Sequence, residues 1–112
     1  MSIASDVEKV PEIFHHLAEE GQVASLRDRN GVYEFDISDG GGTWYVNLDH
    51  GRPNLADTAE HPNVVITCSP GDFVAMSDGS QNVVTAFLQG RIIITGDLAF
   101  ALDCRRLFPV PE

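Results

Sequence analysis

Histidines and cysteines are the first side chains to test for chemistry, because they hold metals and attack carbonyls near neutral pH. His15 and His16 are adjacent. On a helix they point about 100° apart, so they cannot grip one ion as an i, i+4 pair. Cys68 and Cys104 make no C-x-x-C pair, each lies in an apolar stretch, and neither has an evident histidine partner. Two buried, reduced thiols are the expectation. The run Asp36-x-Ser38-Asp39-Gly40 looks like the start of a calcium loop, but the twelfth position from Asp36 is Asn47. Such a loop needs a bidentate Glu there. Gly40-Gly41-Gly42 joins two strand patterns, so no helix N-terminus stands ready for a phosphate. There is no G-x-S-x-G,. An enzyme would have to bring Cys104, Asp103 or His61 into an apolar cavity, and their spacing makes no catalytic set. No catalytic residue, metal site or cofactor is expected.

What remains is apolar chemistry. From 83 to 108, 16 of 26 residues are hydrophobic and 5 are charged. On a wheel of ~100° per residue, Leu98, Phe100, Ala101, Leu102, Cys104, Leu107 and Phe108 cover an arc of roughly 220°, where one core needs little more than ~100°. Phe73, Met76, Phe87 and Leu88 add to Val74, Val83 and Val84 in the segment before it. Two readings stay open on these residues alone. The surplus packs helix on helix and on a partner subunit, or it encloses a cavity for a lipid-like ligand. Gln89 and Thr85 are the polar groups that would orient a head group in such a cavity, and an ordinary helix-end hydrogen bond is the plainer use of Gln89.

The elements that would position these groups read as follows. Ser5 and Glu8 have capping-box spacing. Pro11 deletes a backbone donor, so a short turn and then a main helix over about 10–20 is expected, ended by Gly21. Residues 22–31 fit either a hairpin arm before Asn30-Gly31 or a last helical turn leading into a strand. Tyr33, Phe35 and Ile37 alternate with polar residues, as do Trp44, Val46 and Leu48, giving half-buried strands with a turn at 38–42. A third, irregular strand is expected at 52–57. The apolar run 64–68 reads as an interior strand. Ser69, Pro70 and Asp72 form a helix start. Ser80 is placed to cap a second helix ending at Gly90, residues 92–95 form a strand, and a final helix over 98–107 stops at Pro109. Consecutive alternating strands joined by short turns imply a largely antiparallel sheet with helices on one side, an α+β two-layer domain occupying 1–112 as one unit.

Composition excludes several classes. The chain has 112 residues, 43% of them hydrophobic, with 7 basic and 17 acidic side chains and a net charge of −10. That charge opposes nucleic acid, whose binders replace phosphate counterions with Lys or Arg, and it opposes docking on an anionic bilayer. No run is long enough for a membrane span and residues 1–6 lack a signal-peptide pattern, so a cytoplasmic protein with no stable membrane anchor is expected.

Five blocks, in order, resemble one family. They are Gly31-Val32-Tyr33-Glu34-Phe35-Asp36-Ile37; Thr43-Trp44-Tyr45-Val46-Asn47-Leu48 with His50-Gly51; Val64-Val65-Ile66-Thr67-Cys68-Ser69 leading to Asp72-Phe73; Ala86-Phe87-Leu88-Gln89-Gly90-Arg91-Ile92; and Thr95-Gly96-Asp97-Leu98 with Ala99 and Ala101. Across about 80 residues this chain resembles the sterol carrier protein 2 (SCP2) domain family. The resemblance implies a single five-stranded, mainly antiparallel sheet covered by helices and enclosing an apolar tunnel. It implies that 22–31 lead from helix into strand. It implies a non-catalytic lipid-binding carrier that holds a fatty acid, sterol or other apolar ligand, with Gln89 near the cavity. The tail would be buried by Phe73, Met76, Val84, Phe87, Leu88, Leu98, Phe100, Leu102 and Leu107. The chain departs from the family at Ile93, where lipid-transfer members often carry a second lysine after the Gln-Gly block; with the acidic balance, this counts against the phosphate-rich CoA group. The rival reading is an accessory or assembly protein, a homodimer among its forms, presenting lipid or isoprenoid-quinone intermediates to partner enzymes through an exposed apolar helix face.

Overall fold

The computed structural model describes residues 3–19 and 21–108, with residues 3–5 described by their backbone. The Ser5 side chain of the expected capping box and the stop at Pro109 lie outside the described residues.

Helix α1 spans Ile3–Glu19. Val10, Phe14 and Leu17 recur at i, i+4 and i+7, and all three are buried. The helix does not begin near residue 10 as expected but runs through Pro11. A proline inside a helix costs about 3 kcal/mol, whereas burying each of those three side chains contributes roughly 1.5–3 kcal/mol. The buried stripe therefore outweighs the lost donor. Gly21 follows with φ +77°, the left-handed conformation that suits a helix end,.

A 3₁₀ turn at Ala24–Leu26 leads into strand β1, Gly31–Ile37, so this segment is not a hairpin arm. Strand β2, Gly42–Asp49, pairs antiparallel with β1, and β3, Arg52–Ala56, pairs antiparallel with β2. Strand β4, Val64–Cys68, then lies on the other side of β1, parallel to it, with Tyr33 opposite Val64. Strand β5, Ile93–Gly96, closes the order β3-β2-β1-β4-β5 by antiparallel pairing with β4. The sheet is five-stranded and mixed, antiparallel at every pairing but one. The run at 64–68 is interior, as its apolarity implied.

Helix α2, Pro70–Ser77, starts at Ser69, whose Oγ accepts from the Asp72 amide and donates to Asp72 Oδ2, both at 3.1 Å. Helix α3, Val83–Leu88, is capped by Asn82 rather than Ser80; Asn82 Oδ1 accepts from the Thr85 amide at 3.1 Å. Helix α4, Leu98–Leu102, is capped by Asp97 and passes into a 3₁₀ helix, Asp103–Leu107. The expected single helix over 98–107 thus tightens halfway. Ala101, Cys104 and Leu107 recur every third residue and are all buried. A three-residue turn eclipses side chains at i and i+3, so the tighter winding aims all three inward.

Strand residues Tyr33, Phe35, Ile37, Val46, Leu48, Val64, Ile66 and Cys68 face the helices and are buried. The alternating positions, among them Glu34, Asp36, Thr43 and Asn47, are half-buried or exposed. Between sheet and helices runs a line of rings. Phe14 stacks on Trp44 at 4.6 Å and on Phe73 at 4.8 Å, and meets Phe35 edge-on at 5.4 Å. Phe73 in turn meets Phe108 edge-on at 5.8 Å.

Candidate functional site

The helical side carries two neighbouring clefts. The first, about 330 Å³, lies between α1 and the C-terminal 3₁₀ helix and is lined by Glu12, Ile13, His16, Leu17, Ser77, Leu107 and Phe108. Leu17, Leu107 and Phe108 form a buried apolar floor, while Glu12 and His16 are exposed at the edge. Ser77 is a buried polar residue whose Oγ donates to the Val74 carbonyl at 2.8 Å. Its oxygen keeps a lone pair to offer a ligand donor. The second cleft, about 220 Å³, is lined by Met76, Gly79, Gln81, Asn82, Val83, Arg105 and Phe108. A third, about 320 Å³, is lined by His15 of α1, Trp44, Leu55 and their strand neighbours Gly42, Thr43, Ala56 and Asp57.

The reactive side chains lie in the packed interior. Burial pushes the Cys68 thiol up to about 12, with a smaller push from Asp72. Burial likewise pushes Cys104 up to about 12, helped by Cys68 and Asp103. Both thiols are therefore protonated at neutral pH and poor nucleophiles. The Tyr33 phenol is held far above its ordinary range, chiefly by burial, and its hydroxyl donates to the Phe100 carbonyl at 2.7 Å. On the outer sheet face, the Glu34 carboxyl is held above the usual range by desolvation, then by the hydrogen bond and charge of Asp36. Among the described residues no three His, Cys, Asp or Glu side chains gather to hold a metal ion.

The expected ligand contacts divide into three groups. Met76 lines the second cleft and Leu107 the first. Phe73 and Phe100 are core residues, Phe100 stacking on Tyr33 at 4.2 Å, and Val84, Phe87 and Leu102 are half-buried. Leu88 and Leu98 are 76% and 44% exposed; Gln89, the C-cap of α3, is also exposed, and these three line none of the three clefts. The basic residue after the Gln-Gly pair serves the scaffold: Arg91 donates to Asp72 Oδ1 at 2.7 Å and to Gln81 Oε1 at 2.9 Å. Sequence reasoning missed Ile13, Leu17 and Ser77 as cleft walls. Ile13 and Leu17 stand at i, i+4 beside the Val10–Phe14 stripe, and that second edge was the available signal.

The family model described as the SCP-2 sterol transfer family matches residues 12–109. Sterol carrier protein 2 of Homo sapiens is 32% identical over 101 residues, covering 86% of this chain and 18% of that protein. The chain thus spans about a fifth of the length of the curated relatives it matches. The crystal structure of Sterol Carrier Protein 2 Like 2 from Aedes aegypti superposes with a TM-score of 0.64 at 24% identity, covering 93% of this chain and 97% of that one. The solution structure of palmitated SCP2L2 from Aedes aegypti gives a TM-score of 0.62 at 23% identity, covering 100% and 99%.

Proposed function

The chain belongs to the SCP-2 sterol transfer family, and from that premise we propose that residues 1–112 act as one non-catalytic, cytoplasmic lipid-carrier domain without a stable membrane anchor. Among the described residues no helix is long and apolar enough to cross a membrane. The observation that carries the reading is the cleft between α1 and the C-terminal 3₁₀ helix. Its volume of about 330 Å³ falls in the range of small-molecule sites, roughly 300–1,000 Å³. Its floor is apolar and its rim polar. A fatty acid is the ligand to test first, because the mosquito fold neighbour is palmitated. Its chain lies against Ile13, Leu17, Leu107 and Phe108, while Ser77 Oγ, whose proton goes to the Val74 carbonyl, keeps only acceptor capacity and suits a hydroxyl head group rather than an ionised carboxylate,. A longer ligand displaces α3 and opens a tunnel that brings Met76, Val84, Phe87 and Gln89 into contact with it. Each buried methylene contributes about 0.8 kcal/mol, so ten contribute roughly 8 kcal/mol before binding costs, and longer chains contribute proportionally more. Delipidated protein is titrated with a fluorescent fatty acid and challenged with unlabelled fatty acids, sterols and isoprenoid quinones. Saturable, competable binding is expected; flat titrations with all three classes refute the proposal.

A second reading rests on the exposed Leu88, Ile93 and Leu98. These apolar side chains suit an accessory role in which the domain docks on a partner enzyme or on a second copy. Sedimentation separates the two: a monomer that binds lipid supports the carrier, and an obligate oligomer that binds none supports the assembly role.

A further inference from the structure

Phe108 lines both of the neighbouring clefts. Beside it, Ser77 and Leu107 open onto the first, and Met76 and Arg105 onto the second. The wall between the two hollows is therefore the last turn of α2 together with one aromatic ring. That ring is 6% exposed and meets Phe73 edge-on at 5.8 Å. Its backbone has left the 3₁₀ helix and is extended, at φ −99° and ψ 138°. The ring is thus held by packing at the end of a helix rather than by a place within one, and side-chain rotation is enough to move it.

We propose that Phe108 is the partition that sets how long a chain this domain accepts, an inference that rests on the carrier reading. With the ring in place, the first cleft offers about 330 Å³, near the lower limit for a ligand site, and the second offers about 220 Å³, below it,. With the ring turned aside, the two join, and the volume the ring vacates is added. One apolar channel then runs from Ile13 and Leu17 past Leu107 to Met76 and Val83. Its occupant is a single-chain lipid, because the passage between the two clefts is the space that one ring leaves at Phe108.

The test is the chain-length profile of wild type, Phe108→Leu, Phe108→Ala and Phe108→Trp. Saturated fatty acids from octanoate to stearate displace a bound fluorescent fatty acid. Up to the length the cleft holds, each added methylene tightens binding roughly fourfold, and then the gain stops. Phe108→Leu moves the stopping point to longer acids and Phe108→Ala moves it further, tightening the longest acids tenfold or more relative to octanoate. Phe108→Trp moves it to shorter acids. Should the alanine variant fail to give a cooperative melt, the leucine and tryptophan variants carry the test through their opposite shifts. Profiles that stay parallel in every variant overturn the partition and leave the carrier intact. Wild type that binds no acid of any length overturns the carrier reading and the partition with it.

Discussion

Phe14→Leu isolates what the line of rings contributes. Phe14 is fully buried and touches three rings: Trp44 at 4.6 Å and 12°, Phe73 at 4.8 Å and 17°, and Phe35 at 5.4 Å and 64°. Leucine keeps most of the apolar volume, and a swap of that kind in a core costs under about 1.5 kcal/mol when only packing is at stake. Each aromatic pair in such geometry adds about 0.5–1.5 kcal/mol beyond area. Three pairs that share one ring are not additive, so we expect a loss of about 2–3 kcal/mol for Phe14→Leu. Phe14→Ala, which also leaves a cavity, should lose roughly 3–5 kcal/mol. The chain has one tryptophan, Trp44, and it lies against Phe14. Urea unfolding followed by its emission therefore reads both the global transition and the local contact. Folded Phe14→Leu should emit further to the red, because the face of the indole is uncovered. Val10→Ala, on the same stripe, is the control that removes apolar area without touching the stacks. A cost below about 1 kcal/mol for Phe14→Leu at unchanged m value refutes the reasoning: the rings then act as filler and their geometry carries no energy.

Gly96 has φ +112°, and a Cβ there meets the Asn63 carbonyl oxygen at 2.5 Å and Val64 Cα at 3.0 Å, both backbone. Gly96→Ala should cost about 3 kcal/mol and lower Tm by about 10 °C or more, and an unchanged melt contradicts this. The buried thiols predict alkaline sensitivity. Cys68 and Cys104 rise from 9.0 to about 12 in the folded state. Above about pH 9 the unfolded chain gives up these protons first. Stability is thus whole below that pH and falls as pH rises toward 12, by up to about 1.4 kcal/mol per unit for each thiol. Urea midpoints measured from neutral pH to about pH 10 should slope downward. Removing both thiols (Cys68→Ala with Cys104→Ala) should make the slope shallower, leaving the share of the buried Tyr33 phenol near about pH 10, and equal slopes in the two proteins contradict the assignment,.

Local signals were legible where one residue type has one physical use. Ser69, Pro70 and Asp72 announced a helix start and form it. The alternation at 33–37 and 44–48 gave two half-buried strands facing the core with Tyr33, Phe35, Val46 and Leu48. Tertiary forces erased other signals. Pro11 marks a helix boundary locally, but the buried Val10, Phe14 and Leu17 stripe holds the helix through it. Asn30-Gly31 has hairpin chemistry, yet Asn30 Oδ1 instead accepts from the His50 amide at 2.9 Å and ties the start of β1 to the β2–β3 turn. The family blocks conveyed the five-stranded sheet, whose strand order no periodicity encodes. The site was less legible. The apolar surplus after residue 83 was real, but it divided: Phe100, Ala101, Cys104, Leu107 and Phe108 went into the core while Leu88, Ile93 and Leu98 stayed in solvent. A helical wheel over 98–108 cannot foresee the inward set, because the chain changes from α to 3₁₀ winding at Asp103, and Leu88 and Ile93 lie outside that wheel, in α3 and β5. Ile13, Leu17 and Ser77 form a wall only because α1 packs on α2.

The lone parallel pairing makes a long-range closure at the middle of the sheet. β1, β2 and β3 are joined by tight turns, and hairpins of that kind close in microseconds. Strand β4 reaches β1 only after a loop of about 30 residues is brought round, from Tyr33 to Val64,. Until then β1 presents a free edge of amides and carbonyls, a template on which a neighbouring copy can pair. Glu34 and Asp36 sit on that strand. Two copies aligned there set carboxylate against carboxylate, and like charges placed opposite one another destabilise the pairing. The acidic pair thus disfavours pairing of two copies along the strand that the finished domain hides most completely between its own neighbours,.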